Sequence, residues 1–153
     1  MKRTSAEVAI AAACLLLCAA VPVPAQETRT TSESVQRLLG DSAEYRHVIT
    51  AFQAAVQAHD AAGVAALVSY PITVRVGGTS RTIKTPQKFI ARYDSIITPA
   101  IAAAVQGQAY DSMMVNSKGV MLGQGEVWFN GTCRDAKCTT STVRVIAIQS
   151  SSE

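Results

Sequence analysis

Residues 119–130 read GVMLGQGEVWFN, a stretch that holds the only tryptophan of the chain, a carboxylate set between apolar residues, and glycines at 123 and 125. It reads as one long strand. At about 3.3 Å per residue, the run after Gly119 would extend roughly 36 Å, enough to cross a small domain and act as the beam around which other elements pack. Alternation puts Leu122, Gln124, Glu126 and Trp128 on one face, with Met121, Gly123, Gly125, Val127 and Phe129 on the other. Glycine inside a strand marks a bend, a bulge or a close backbone approach. Two on one face predict a sharply curved sheet, and a curved sheet encloses a cavity.

The ends of the chain bound its compartment. Lys2 and Arg3 precede an apolar run from Val8 to Val21, which ends in Pro22, Val23, Pro24 and Ala25. That order of basic, apolar and small residues predicts a secretory signal peptide over residues 1–25, cleaved after Ala25, with a retained N-terminal anchor as the alternative. The run is shorter than the roughly 20 residues of a comfortable membrane span, so no stable membrane insertion is expected after cleavage. The mature chain then begins at Gln26 in the periplasm or outside the cell, and its length suits one domain with one core. The full chain has 14 basic and 11 acidic residues and a net charge of +3. No basic run is interleaved with aromatic residues, which argues against nucleic acid as a partner.

Of the four cysteines, only Cys133 and Cys138 lie beyond the signal segment, and an even pair in an exported chain predicts a disulfide. Two thiols supply half of a zinc shell, and neither histidine is near them in sequence, so no metal site is expected. No cofactor motif is present either.

Outward from residues 119–130, the chain divides into short elements. Gln26 to Ser34 is polar and aperiodic, and reads as a mobile tether. Val35, Leu38 and Leu39 then share a helical face, so residues 26–40 are expected to be a tether and a short helix. Asp41 and Glu44 have capping-box spacing and open a helix to about His59, with Tyr45, Val48, Ile49, Phe52, Ala55 and Val56 as its apolar stripe. Asp60 caps a short second helix over residues 61–68. Tyr70-Pro71 ends it, and Ile72 to Val76 pairs across Gly77-Gly78 with Ser80 to Lys84 as a hairpin. Thr85-Pro86 starts a long helix, with Phe89, Ile90, Tyr93, Ile96 and Ile97 as its buried face, kinked where Thr98-Pro99 repeats the start signal. Strands are expected over residues 110–116, 120–130 and 140–149. His47 and His59 suit helix-flank and helix-end positions better than catalysis.

The Tyr70-Pro71 strand entry, the helix segment FIARYDSIITP at residues 89–99 and the strand at residues 119–130 together resemble the nuclear transport factor 2-like superfamily, which includes the SnoaL-like proteins. The likeness covers roughly residues 41–150. It implies an α+β, cone-shaped roll of the cystatin-like kind, a curved antiparallel sheet packed around a long helix, with a pocket at the open end of the cone. Members include isomerases, dehydratases, carriers and interaction modules, so fold does not transfer function.

Members resembling ketosteroid isomerases pair an aspartate base with a tyrosine and a protonated acid. Glu126 is the one catalytic candidate here, as a carboxylate flanked by Gly125, Val127 and Trp128. It either sits partly desolvated in the pocket, or projects to solvent, or pairs with Arg75, Arg92 or Arg144. Tyr70, Tyr93, Glu126 and Trp128 are the candidate ligand-binding residues, with core packing as the plainer role for Tyr93 and Trp128. No Gly-x-Ser-x-Gly nucleophile motif occurs. The expected function is an exported, non-catalytic binding module for a small apolar molecule or a protein partner, possible as a homodimer through the sheet. The alternative is a small cofactor-free isomerase or dehydratase working by acid-base chemistry from Glu126.

Overall fold

A computed structural model describes residues 29–150. The signal-peptide reading and the proposed mature end at Gln26 lie outside the described residues. Among these residues the architecture is α+β, with six helices and a curved, six-stranded mixed sheet.

Helix α1 (Thr31–Leu38) begins inside the stretch read as a tether. The Thr30 hydroxyl accepts from the Glu33 amide, and the Glu33 carboxylate accepts from the Thr30 amide, a reciprocal capping box. Thr31 and Val35 are buried, and the Thr31 hydroxyl donates to the Met113 carbonyl at 3.1 Å. A polar run without periodicity is therefore helical here because its first turn is capped and docked.

Helix α2 (Ser42–Gln57) buries Tyr45, Val48, Ile49, Phe52 and Val56 of the expected stripe, with Ala55 partly buried beside them. Asp41 accepts from the amides of Ala43 and Glu44. Glu44 does not close a box; its Oε1 accepts from Val143 N at 3.0 Å and ties the helix to the last strand. Asp60 caps the short α3 (Ala61–Ala66).

Strand β1 (Val68–Val76) starts before Tyr70-Pro71, whose peptide is cis and which falls where the register with the neighbouring strand shifts. Such an irregularity is where a sheet tolerates proline, which has no amide to donate. Gly77 and Gly78, both at positive φ, turn the chain into β2 (Thr79–Ile83), the loop geometry that suits a two-residue hairpin.

The long helix expected after Thr85 is three short ones: α4 (Pro86–Ile90), α5 (Tyr93–Ile96) and α6 (Pro99–Gly107). Thr98-Pro99 marks one break as read; the other, at Arg92, carries no proline. On a straight helix at about 100° per residue, Phe89 and Val105 would point roughly 160° apart. Breaking the axis twice lets Phe89, Tyr93, Ile96, Ile97, Ile101 and Val105 all be buried, while Ile90, expected on that face, is exposed.

After α6, residues 110–112 form a 3-10 turn rather than strand, and β3 is confined to Met114–Asn116. The larger correction concerns residues 119–130. They are not one strand but two, β4 (Gly119–Leu122) and the start of β5 (Val127–Cys133), folded on each other around residues 123–126. Gly123 (φ 71°) and Gly125 (φ 114°) take backbone conformations closed to most side chains, so the glycines read as curvature make a full reversal. The facing pairs are Leu122 with Val127, Met121 with Trp128, and Val120 with Phe129. Leu122 and Trp128 therefore lie on opposite faces, because the turn breaks the parity that a continuous strand would keep.

Strand β6 (Ser141–Gln149) completes the sheet in the order β2-β1-β6-β5-β4-β3. Neighbours are antiparallel except β1 and β6, which are parallel, so the sheet is mixed rather than antiparallel. Hairpins make antiparallel pairs. The β1–β6 junction instead joins the first strand to the last, across a connection long enough for a parallel pair. The inner face, with Ile72, Val74, Val120, Leu122, Val127, Phe129, Val145 and Ile148, meets the helices; Phe52 packs edge-on to Phe129 at 5.3 Å.

Candidate ligand-binding cleft

The four sequence candidates fall in different surroundings. Glu126, 5 % exposed, sits at the end of the 123–126 turn, and its carboxylate accepts from the Gln124 amide two residues before it. Its backbone carbonyl accepts from Gln149 N at 2.8 Å, linking the turn to β6. Among the described residues, no tyrosine donates to it and no arginine pairs with it. It is neither a solvent-facing acid nor a partner of Arg75, Arg92 or Arg144, because the reversal at Gly123 folds its side chain back over its own turn.

The Tyr70 hydroxyl donates to the Ala65 carbonyl at 3.0 Å, and burial pushes its phenol up to about 12. The Tyr93 ring is core, edge-on to His59 at 4.9 Å, and its hydroxyl is buried without a hydrogen-bond partner among the described residues. Its phenol is also raised, by burial first and then by Asp94 and Asp60. Trp128 is half-buried on the outer face, between Met121 on β4 and Ala147 on β6.

A cleft of about 190 Å³ opens instead between the inner face of the β1–β2 hairpin and α5, and none of those four residues lines it. Hairpin register builds one wall: Ile72 faces Ile83, Val74 faces Arg81, and Val76 faces Thr79. Since successive side chains alternate, Val74, Val76, Thr79, Arg81 and Ile83 all point inward. Arg92, Ser95 and Ile96 form the other wall, positioned by the break between α4 and α5. The Ser95 hydroxyl is committed to the Arg92 carbonyl at 2.8 Å.

Arg81 and Arg92 also border a shallower depression that adds Thr82, Lys88 and Ala91. No carboxylate of the described residues lines either space. Among the described residues, the ion pairs with carboxylates are Arg46 with Asp111 and His59 with Asp94, so neither guanidinium of the cleft is engaged. Among the described residues, too, no group of three or more His, Cys, Asp or Glu gathers to hold a metal.

One signal for this site was present in the sequence. Alternation back from Ile83 puts Arg81 on the same face, a charge where the pattern wants an apolar residue. Arg92 carried no such signal, because its position depends on a helix break that no proline announces.

At the opposite end of the sheet, Cys133 and Cys138 are disulfide-bonded with α-carbons 4.7 Å apart, within the usual range. Asp135 in that loop accepts from the amides of Lys137, Thr139 and Thr140 and from both threonine hydroxyls. These bonds, the Thr139 amide first, hold its carboxyl well below the usual range. No described helix is long and apolar enough to cross a membrane. Compared with protein-family models, curated proteins and solved structures, the chain matches none.

Proposed function

We propose that this chain is an exported, non-catalytic binding module of the nuclear transport factor 2-like kind, and that its site is the cleft between the β1–β2 hairpin and α5. The carrying observation is the chemistry of the lining: Val74, Val76, Ile83 and Ile96 supply an apolar floor, and the polar remainder is Thr79, Ser95 and two arginines. General acid-base catalysis needs a group that exchanges protons near neutral pH within reach of the reacting atom. Arginine and aliphatic hydroxyls do not. The carboxylate proposed for that work, Glu126, is bound to its own turn and lies outside the cleft lining.

The helix pair, hairpin, helical segment and antiparallel meander support the family resemblance, and the Cys133–Cys138 bond supports an oxidising compartment. An apolar cavity of about 150 Å³ admits a benzene ring, so this cleft suits a single ring or a short aliphatic chain. The test is a titration of isotope-labelled protein with such compounds, read by amide chemical shifts. Saturable changes at Val74, Thr79, Arg81 and Ser95 are expected, while unchanged shifts there at millimolar ligand would refute the assignment. Tryptophan fluorescence is the poorer probe, since Trp128 lies on the outer face.

A further inference from the structure

The two arginines of the cleft say more about the ligand than its size does. Arg81 belongs to β2, the last strand at one edge of the sheet, and occupies an inward position between Thr79 and Ile83, opposite Val74. An inward charge on an edge strand can serve only to discourage pairing with another chain. Arg92 has no such duty, because it comes from the helical wall, yet it lines the same cleft. Among the described residues neither pairs with a carboxylate, and Lys88 extends the positive border into the adjoining depression.

Like charges gathered around a small space repel one another, and an anion placed between them removes that repulsion. Guanidinium groups present planar forks of donors that match carboxylate and phosphate oxygens two at a time. Beneath them the floor is aliphatic: Val74, Ile83 and Ile96. We infer that the cleft takes an amphipathic anion, a compact apolar body carrying one oxyanion head group, with the head between Arg81 and Arg92 and the body on the aliphatic floor. This rests on the binding-module reading and narrows its ligand class.

The test uses the full mature chain and a series sharing one body: 3-phenylpropanoate, 2-phenylethanesulfonate, 2-phenylethyl phosphate and the neutral 3-phenylpropan-1-ol. Affinities are read from amide shifts at the cleft. An exposed ion pair contributes up to about fivefold in affinity, so at least one anion is expected to bind about five times more tightly than the alcohol. The preferred anion identifies the head group. That preference should fall to near unity in Arg81→Gln and in Arg92→Gln, both exposed positions whose melting curves check the fold. It should survive in Lys118→Gln, a charge removed from the exposed β3–β4 turn and absent from the cleft lining. Equal binding of alcohol and anions overturns the anion inference and leaves the cleft as a binding site. An equal loss in Lys118→Gln also overturns it, since net charge alone would then explain the preference. No shift at the cleft with any of the four compounds overturns both readings.

Discussion

Replacing Gly119 with alanine tests the reversal at residues 123–126 directly. Gly119 lies at φ 130°, and a β-carbon there would sit 2.1 Å from the Phe129 carbonyl oxygen and 3.1 Å from its carbon. Carbon and carbonyl oxygen in favourable contact stay about 3.3 Å apart or more, so the backbones of β4 and β5 must separate by about 1 Å. That contact exists only because the chain folds back; in one continuous strand the two residues would be roughly 33 Å apart. Gly40 is the matched control, since it also has positive φ, at 110°, but a β-carbon added there would meet nothing within 4 Å. Both substitutions carry the backbone term, about 1–3 kcal/mol. Gly119→Ala adds the disturbance of a packed core at Phe129, which is fully buried, and overpacking of that kind costs about 1–3 kcal/mol. The excess over Gly40→Ala should be about 2 kcal/mol, or about 1 M in urea midpoint at a slope near 2 kcal/mol/M. Urea unfolding of the two variants and the parent gives the comparison. Equal midpoints for Gly119→Ala and Gly40→Ala would refute the β4–β5 pairing.

Three further outcomes are expected. Denatured, unreduced mature protein should show no free thiol, and Cys133→Ser with Cys138→Ser should lower stability by about 2 kcal/mol on the loop-entropy account; two reactive thiols in periplasmic material would refute the bond. Asp135 should remain ionised through the range around 3.9 where ordinary aspartates titrate, as followed by carboxyl carbon NMR, because its folded-state pKa is depressed below its unfolded value. Its contribution is therefore complete above about pH 4 and lost as pH falls toward the depressed value, so Asp135→Asn should flatten the acid limb of stability; an ordinary midpoint would contradict the hydrogen-bond set. Thr31→Val should destabilise by about 1 kcal/mol by leaving the buried Met113 carbonyl unpaired, and an unchanged melting temperature would argue that α1 is not docked there.

Local chemistry in the sequence determined the elements whose signals lie within a few residues of one another. Asp41 and the stripe from Tyr45 to Val56 define α2, Gly77-Gly78 defines the first hairpin, and Thr98-Pro99 marks a true helix boundary. The spacing of Cys133 and Cys138 likewise suffices for the disulfide, since a six-residue return brings the two side chains together. Thr30 and Glu33 belonged in this class, a local capping box overshadowed by the polar composition around it.

Tertiary structure alone decided the rest. Residues 119–130 satisfy strand alternation whether they run straight or fold at Gly123 and Gly125; the difference is settled by Gln108, whose side chain accepts from Gly123 N, and by Gln149, whose amide donates to Glu126. Both partners are distant in sequence, and they convert Glu126 from a pocket candidate into part of a turn. Parity then follows: once the chain reverses, Trp128 moves to the outer face and Val127 to the core. The cleft has the same origin. Arg81 and Arg92 stand on separate elements, and they share a space only because the β1–β2 hairpin folds over a helical segment broken at Arg92. Hydrophobic periodicity records which side of an element is buried, but not which other element meets it, since burial is non-directional.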